Sequence, residues 1–164
     1  MKSIALKYLP RRLTAKDKQL QKRMLLKSRR LYRQGKYYTR KRIQSYPVRE
    51  SPHVQKARRL YGVETLAPSK ALATATGCSL SAQKAIVAKG EGAYFSSGSR
   101  PSQTAQSWGY ARLASAVTGG KAAAVDYAIL EKGCKSEGKA MQLAKQAKKK
   151  HGHGTRRVAH TATA

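Results

Sequence analysis

Arginine, lysine and tyrosine interleave through residues 36–50, KYYTRKRIQSYPVRE. A guanidinium grips phosphate or carboxylate with a planar fork of N–H donors. A tyrosine ring stacks on a base or packs into a protein surface. Tyr37, Tyr38 and Tyr46 supply the rings here, and Arg40, Lys41 and Arg42 the charge. The same chemistry extends to Arg11 and Arg12, to Lys22, Arg23, Arg29, Arg30 and Arg33, to Arg58 and Arg59, and to Lys148, Lys149 and Lys150. These residues are the candidate contacts to nucleic acid or to an acidic partner surface. Arg100 joins them on other grounds: it sits in a Gly-Ser-Arg-Pro loop with no acid nearer in sequence than Glu91. Recognition of an external anion and a structural role stand level for Arg100.

Catalysis has little to work with. His53, His151, His153 and His160 are the histidines, three of them in the C-terminal tail. Ser96, Ser97 and Ser99 have no base nearby in sequence, and no acidic pair suggests acid–base chemistry. SAVTGGKA lacks the first glycine of a nucleotide-binding loop and has Ala122 where a magnesium-binding hydroxyl belongs, while GEGAYFSSG lacks the third glycine of a dinucleotide fingerprint. Cys78 and Cys134 lie far apart, without the close pairing of a zinc site or a disulfide framework. The expectation is a non-enzyme with no metal, cofactor or small-molecule substrate, in a reducing compartment.

Short, well-punctuated helices must position the cations. Thr14 caps a helix that carries Leu20, Met24 and Leu31, together with Lys27 and Ser28, on one face and ends at Gly35. Residues 36–50 have no helical period, and Pro47 reads as part of an extended arm. Ser51-Pro52 opens a helix that Gly62 stops. Pro68-Ser69 opens the next, to Gly77, and Ser79 or Ser81 starts another that Gly90 closes. Ala73 and Gly77 suggest a DNA-binding helix-turn-helix, but Gln83 stands where that motif packs an apolar residue, which favours a plain helical hairpin. Residues 91–102 read as a loop, followed by helices from Ser102 or Thr104 to Gly119, from Lys121 to Glu131, and from Ser136 into Lys148–Lys150. Phe95, Trp108 and Leu113 are the expected core, with Arg112 and Asp126 as an ion pair across adjacent helices.

The predicted architecture is mainly α. Residues 1–62 form a basic N-terminal arm with a long and a short helix, 63–147 a small helical hub, and 148–164 a basic flexible tail. Charge follows that division. Residues 1–61 hold twenty Lys/Arg against Asp17 and Glu50, whereas residues 62–140 hold nine against five acids. The whole chain, with 35 Lys/Arg and 7 Asp/Glu, carries +28. A charge of about 2–8 would keep a small domain soluble, so this excess asks for a polyanion. No apolar run is long enough to span a membrane, and the N-terminal apolar stretch is too short for a signal peptide.

GAYFSSGSRPSQTAQSWGYARLASAVTGGKAAAVDYAIL, together with the upstream YLPRRLT and KSRRLYRQGKYYTRKRIQSYPVRESPHVQKARRLYGVETLAPSKALATATGCS, resembles an uncharacterised domain of large DNA viruses. The resemblance is to proteins of giant viruses of algae and their relatives, more loosely to tailed phages, and covers roughly residues 8–147. It carries no catalytic residues. It implies a virion protein: a minor capsid or internal component whose partners are other capsid or virion proteins and viral DNA, met in the particle and in host cytoplasm or nucleus during assembly. Two alternatives remain beside it, a viral nucleic-acid-binding or DNA-condensing protein and a ribosomal-protein-like RNA binder.

Overall fold

The computed structural model describes residues 3–152 and 160–161. The fold is mainly helical. Eight α-helices are described: α1 Ala15–Tyr32, α2 Pro52–Tyr61, α3 Lys70–Thr76, α4 Leu80–Ser96, α5 Ala105–Val117, α6 Lys121–Val125, α7 Tyr127–Gly133 and α8 Lys139–His151. The chain divides into two compact units. One takes Met1–Arg49, Glu91–Ala105 and Arg157–Ala164; the other takes Glu50–Gly90 and Gln106–Arg156. These units do not follow the expected boundary between residues 62 and 63: residues 50–62 group with the second unit, and residues 91–105 with Met1–Arg49.

In the first unit, Thr14 caps α1, its Oγ1 accepting the Asp17 N–H at 3.2 Å; such a cap contributes about 1 kcal/mol. The buried face of α1 is Gln21, Met24, Leu25 and Ser28; Met24 and Ser28 belong to the expected face, whereas Leu20 and Leu31 are only half-buried and Lys27 is exposed. Residues 36–49 have no helix, yet they are not a bare arm. Ile43 is fully buried and forms a small cluster with Leu13 and Met24, against which Leu20, Tyr38 and Tyr46 pack. Tyr94 is also fully buried. From the C-terminal tail, Thr161 donates its N–H to the Ile4 carbonyl at 2.8 Å; His153 lies outside the described residues.

In the second unit, Ser51 and Ser69 cap α2 and α3, and α6 and α7 pack on α8. Leu66, Leu72, Ile86, Leu113, Val117, Leu130 and Met141 form its core. Gln83 is fully buried in this unit. Its Oε1 accepts the Ser69 N–H at 3.0 Å, and its Nε2 donates to the Cys78 carbonyl at 3.0 Å. The polar residue between α3 and α4 is therefore a hydrogen-bonded tie.

Three sequence expectations fail for local reasons. First, α4 does not close at Gly90 but continues to Ser96. A Cβ on Gly90 would stand 2.6 Å from the Gly109 Cα, so this glycine permits close backbone packing and is not a helix stop. Second, the helix expected from Lys121 to Glu131 is broken into α6 and α7 at Asp126. Third, Cys78 and Cys134 form a disulfide. They oppose each other in an isolated antiparallel bridge, flanked by hydrogen bonds from Ser79 N–H to Gly133 O and from Lys135 N–H to Gly77 O. That is the narrow pairing of an antiparallel ladder, which brings facing side chains closest. Linear spacing of 56 residues hides it.

Candidate polyanion-binding surface

The cations of α1 separate by helical geometry. Opposite its buried face, Arg23, Lys27, Arg30 and Arg33 line a shallow depression with Leu26. At 1.5 Å per residue, Arg23 to Arg33 spans about 15 Å along the axis. Lys22 is exposed beside them, as are Arg11, Arg12, Lys41 and Arg42 in the same unit. Among the described residues, no carboxylate forms an ion pair with Lys22, Arg23, Lys27, Arg30 or Arg33. Asp17, the only acid on α1, accepts the Ser45 N–H at 2.9 Å. The hydrogen bonds from Ser45 hold its carboxyl below the usual value, so it stays anionic and tied to that loop.

Arg29 and Arg40 do not belong to this surface. Both serve the C-terminal end of α4, whose last carbonyls have no partner within the helix. Arg40 Nη1 donates to the Tyr94 carbonyl at 2.8 Å and to Ser28 Oγ at 3.2 Å, and Nη2 donates to Ser99 Oγ at 2.8 Å. Its guanidinium carbon lies 3.8 Å from the Tyr94 ring centroid, a cation–π contact. Ser28 Oγ donates to the Phe95 carbonyl at 3.0 Å. Arg29 Nε donates to the Ser97 carbonyl at 2.8 Å, and its Nη1 to the Ser3 carbonyl at 2.9 Å. Burial lowers the pKa of both arginines, although neither loses its proton in a protein at ordinary pH. The negative end of the α4 dipole explains why a buried cation sits there without a carboxylate. Arg40, expected at a binding surface, is a buried helix cap, and Arg29 is half committed to the same end.

That network also fixes the Gly-Ser-Arg-Pro loop. Ser99 Oγ, besides accepting from Arg40, donates to the Arg100 carbonyl at 3.0 Å, and Ser102 Oγ donates to the Ile43 carbonyl at 3.4 Å. Arg100 itself is exposed. The expected core residue Phe95 is only half-buried, and in the second unit so is Trp108; Leu113 is fully buried. Tyr94, one residue before Phe95, takes the interior place because it faces Arg40 and offers its hydroxyl to the Arg40 N–H at 3.0 Å.

In the second unit, Arg112 grips Asp126 with both prongs, Nε to Oδ2 at 2.7 Å and Nη2 to Oδ1 at 2.8 Å. Lys89 Nζ adds a contact at 3.3 Å to the same buried carboxylate. Sequence reasoning pairs Arg112 with Asp126 but gives no sign of Lys89, which lies 37 residues away in the chain. Arg58 bonds Glu50 at 2.6 Å and the Glu64 carbonyl at 2.6 Å, while Arg59 is exposed. Lys148 lies over the Tyr127 ring at 4.2 Å, with Lys149 and Lys150 exposed beyond it. Among the described residues no group of three His, Cys, Asp or Glu is placed to hold a metal ion, and no helix is long and apolar enough to cross a membrane.

A family model matches residues 6–132, from before α1 into α7. The chain belongs to DUF5824, a family of unknown function. The matched segment contains the α1 surface, the Arg40 network and the Arg112–Asp126 pair; the family model ends before α8 and its terminal lysines. No curated protein and no solved structure matches the chain significantly.

Proposed function

We propose that this protein is a non-enzymatic structural component of a large double-stranded DNA virus particle, a minor capsid or internal virion protein that holds nucleic acid through its cationic surface. The observation that carries the binding half is the outer face of α1. Four cations line one depression there, and no described carboxylate pairs with them. Such a face is costly in a compact protein until a polyanion replaces its counterions. Phosphate backbone suits it better than a folded acidic surface, because the charges follow a line along a helix. Support for the particle setting comes from the GSRP and SWGYARLAS words and the sequence around them, through their viral resemblance. Acidic inner surfaces of capsid proteins are the second partner in this reading.

The test is titration of duplex DNA at several salt concentrations. Log affinity should fall linearly with log salt, at about 0.9 per phosphate neutralised. Replacing Arg23 and Arg30 together by Gln should lower that slope by about 1–2 while the protein stays folded. A flat salt response would remove the nucleic-acid half of the proposal. Quantifying the protein in purified particles before and after DNA release tests the other half: retention at fixed copy number marks a shell component, loss with the DNA marks a genome binder.

A further inference from the structure

The C-terminal end of α1 carries an aromatic feature that charge does not explain. The helix closes with a Gly35 turn, φ +73°, in which the Lys36 N–H bonds the Leu31 carbonyl at 2.9 Å and the Gly35 N–H bonds the Tyr32 carbonyl at 3.0 Å. This pair of bonds is a Schellman ending, which needs a left-handed residue where the glycine stands. It folds the chain back so that Tyr37 lies beside Tyr32, ring centroids 6.1 Å apart, and beside Phe95 at 5.0 Å. Both neighbours meet Tyr37 at about 60°, so neither ring lies flat on it. Tyr37 remains 72% exposed, the most exposed of the large apolar and aromatic side chains described, and Tyr32 is 37% exposed.

The other two aromatic candidates are engaged. Lys27 Nζ sits 4.4 Å from the Tyr38 ring centroid, and Tyr46 packs on the Leu13–Met24–Ile43 cluster. Tyr37 alone of the three combines a supported edge with an open face. Arg33, at the end of the cationic depression, and Lys36 stand next to this turn in the chain. An outward ring on a braced turn, flanked in the chain by the exposed cations Arg33 and Lys36, offers what a single strand requires: cations for its phosphates and a flat π surface for a base. A duplex offers its phosphates but keeps its base faces stacked inside.

We infer that Tyr37, braced by Tyr32 and Phe95, is a stacking platform for an unpaired base of single-stranded nucleic acid whose phosphates meet Arg33 and Lys36 at the end of α1. The inference rests on the nucleic-acid reading above and names the form of the ligand. The experiment compares the full-length protein and its Tyr37 variants on a short oligothymidylate and on a duplex of equal length, by fluorescence anisotropy at fixed salt. Tyr37→Ala should weaken oligothymidylate binding about five- to a hundredfold and leave duplex binding and the salt slope unchanged. Tyr37→Phe should retain binding, because the ring and not the hydroxyl stacks. A Tyr37→Trp variant reads the same contact without truncation: its extra emission, relative to the protein with Trp108 alone, should be quenched by the oligothymidylate and not by the duplex. Unchanged oligothymidylate binding in Tyr37→Ala, an equal loss on duplex, or no selective quenching would overturn the platform while leaving the charge-based reading intact. Failure of the unaltered protein to bind either probe would overturn both.

Discussion

Arg40 decides between two uses of positive charge, and its substitution separates them. The side chain is 8% exposed and donates to the Tyr94 carbonyl, Ser28 Oγ and Ser99 Oγ. Hydrogen bonds from a charged donor contribute about 1.5–3 kcal/mol each and are not additive. Truncation also empties the space of the aliphatic stem and leaves a helix-terminal carbonyl without a partner. Arg40→Ala should therefore cost about 3–5 kcal/mol, a large share of the roughly 5–15 kcal/mol margin of a natural domain. Arg40→Met keeps most of the stem volume and gives up only the donors, so about 1–3 kcal/mol is expected. Urea unfolding followed by circular dichroism gives the totals, and amide exchange locates the loss at residues 94–102. Under conditions where Arg40→Met stays folded, its DNA salt slope should match the unaltered protein. A variant as stable as the parent with a slope smaller by about 0.9 would refute the cap and restore Arg40 to the binding surface.

Two further outcomes follow from the packing. The Cys78–Cys134 bond closes a long loop, with a sequence separation of 56; paired Cys78→Ser and Cys134→Ser substitutions should cost about 4 kcal/mol on the chain-entropy estimate, read as a lower urea midpoint that reducing agent reproduces in the parent protein and not in the variant. Asp17 has its folded pKa lowered from 3.8, chiefly by the hydrogen bonds of Ser45. Its contribution is thus present above that value and lost as pH falls through the folded pKa. Acid melts of Asp17→Asn should lack that part of the decline, and an identical acid profile would show the Ser45 contact to be idle.

Local signals made most of the helices readable. Thr14, Ser51 and Ser69 look like caps in sequence and accept backbone N–H groups in the structure, because capping depends on residues within one turn. Gly90 misled for the same reason. Nothing within a turn of it distinguishes a stop from a close approach, and the deciding neighbour, Gly109, is 19 positions away in the sequence. At the α6–α7 break, Asp126 pairs with Arg112 on α5 and Lys89 on α4, contacts beyond the reach of any signal local to residues 121–131. On α1, helical periodicity misplaces two cations: Lys27, assigned to the apolar face, is exposed on the cationic side, and Arg29, assigned to the outer surface, bonds the Ser97 and Ser3 carbonyls. The burial of Arg40 depends on the end of a helix whose extension to Ser96 was itself hidden.

The arginines and lysines consequently divide the charge differently from its distribution along the chain. Arg29, Arg40 and Arg112 each make at least two short, directed contacts to carbonyls, hydroxyls or a carboxylate inside their own unit. The planar fork suits that work, since several donors are fixed for the ordering of one side chain. Lys22, Lys41, Lys149 and Lys150 are exposed instead, where a flexible ammonium is free to meet an anion without a fixed geometry. Net charge alone therefore overstates the number of cations that can release counterions from DNA. The salt slope should follow the exposed set headed by Arg23, Lys27, Arg30 and Arg33, and substitutions at the internal arginines should appear as lost stability with the slope preserved. Both quantities measured on one panel of variants would expose an error in either assignment, because a misplaced arginine changes the wrong one.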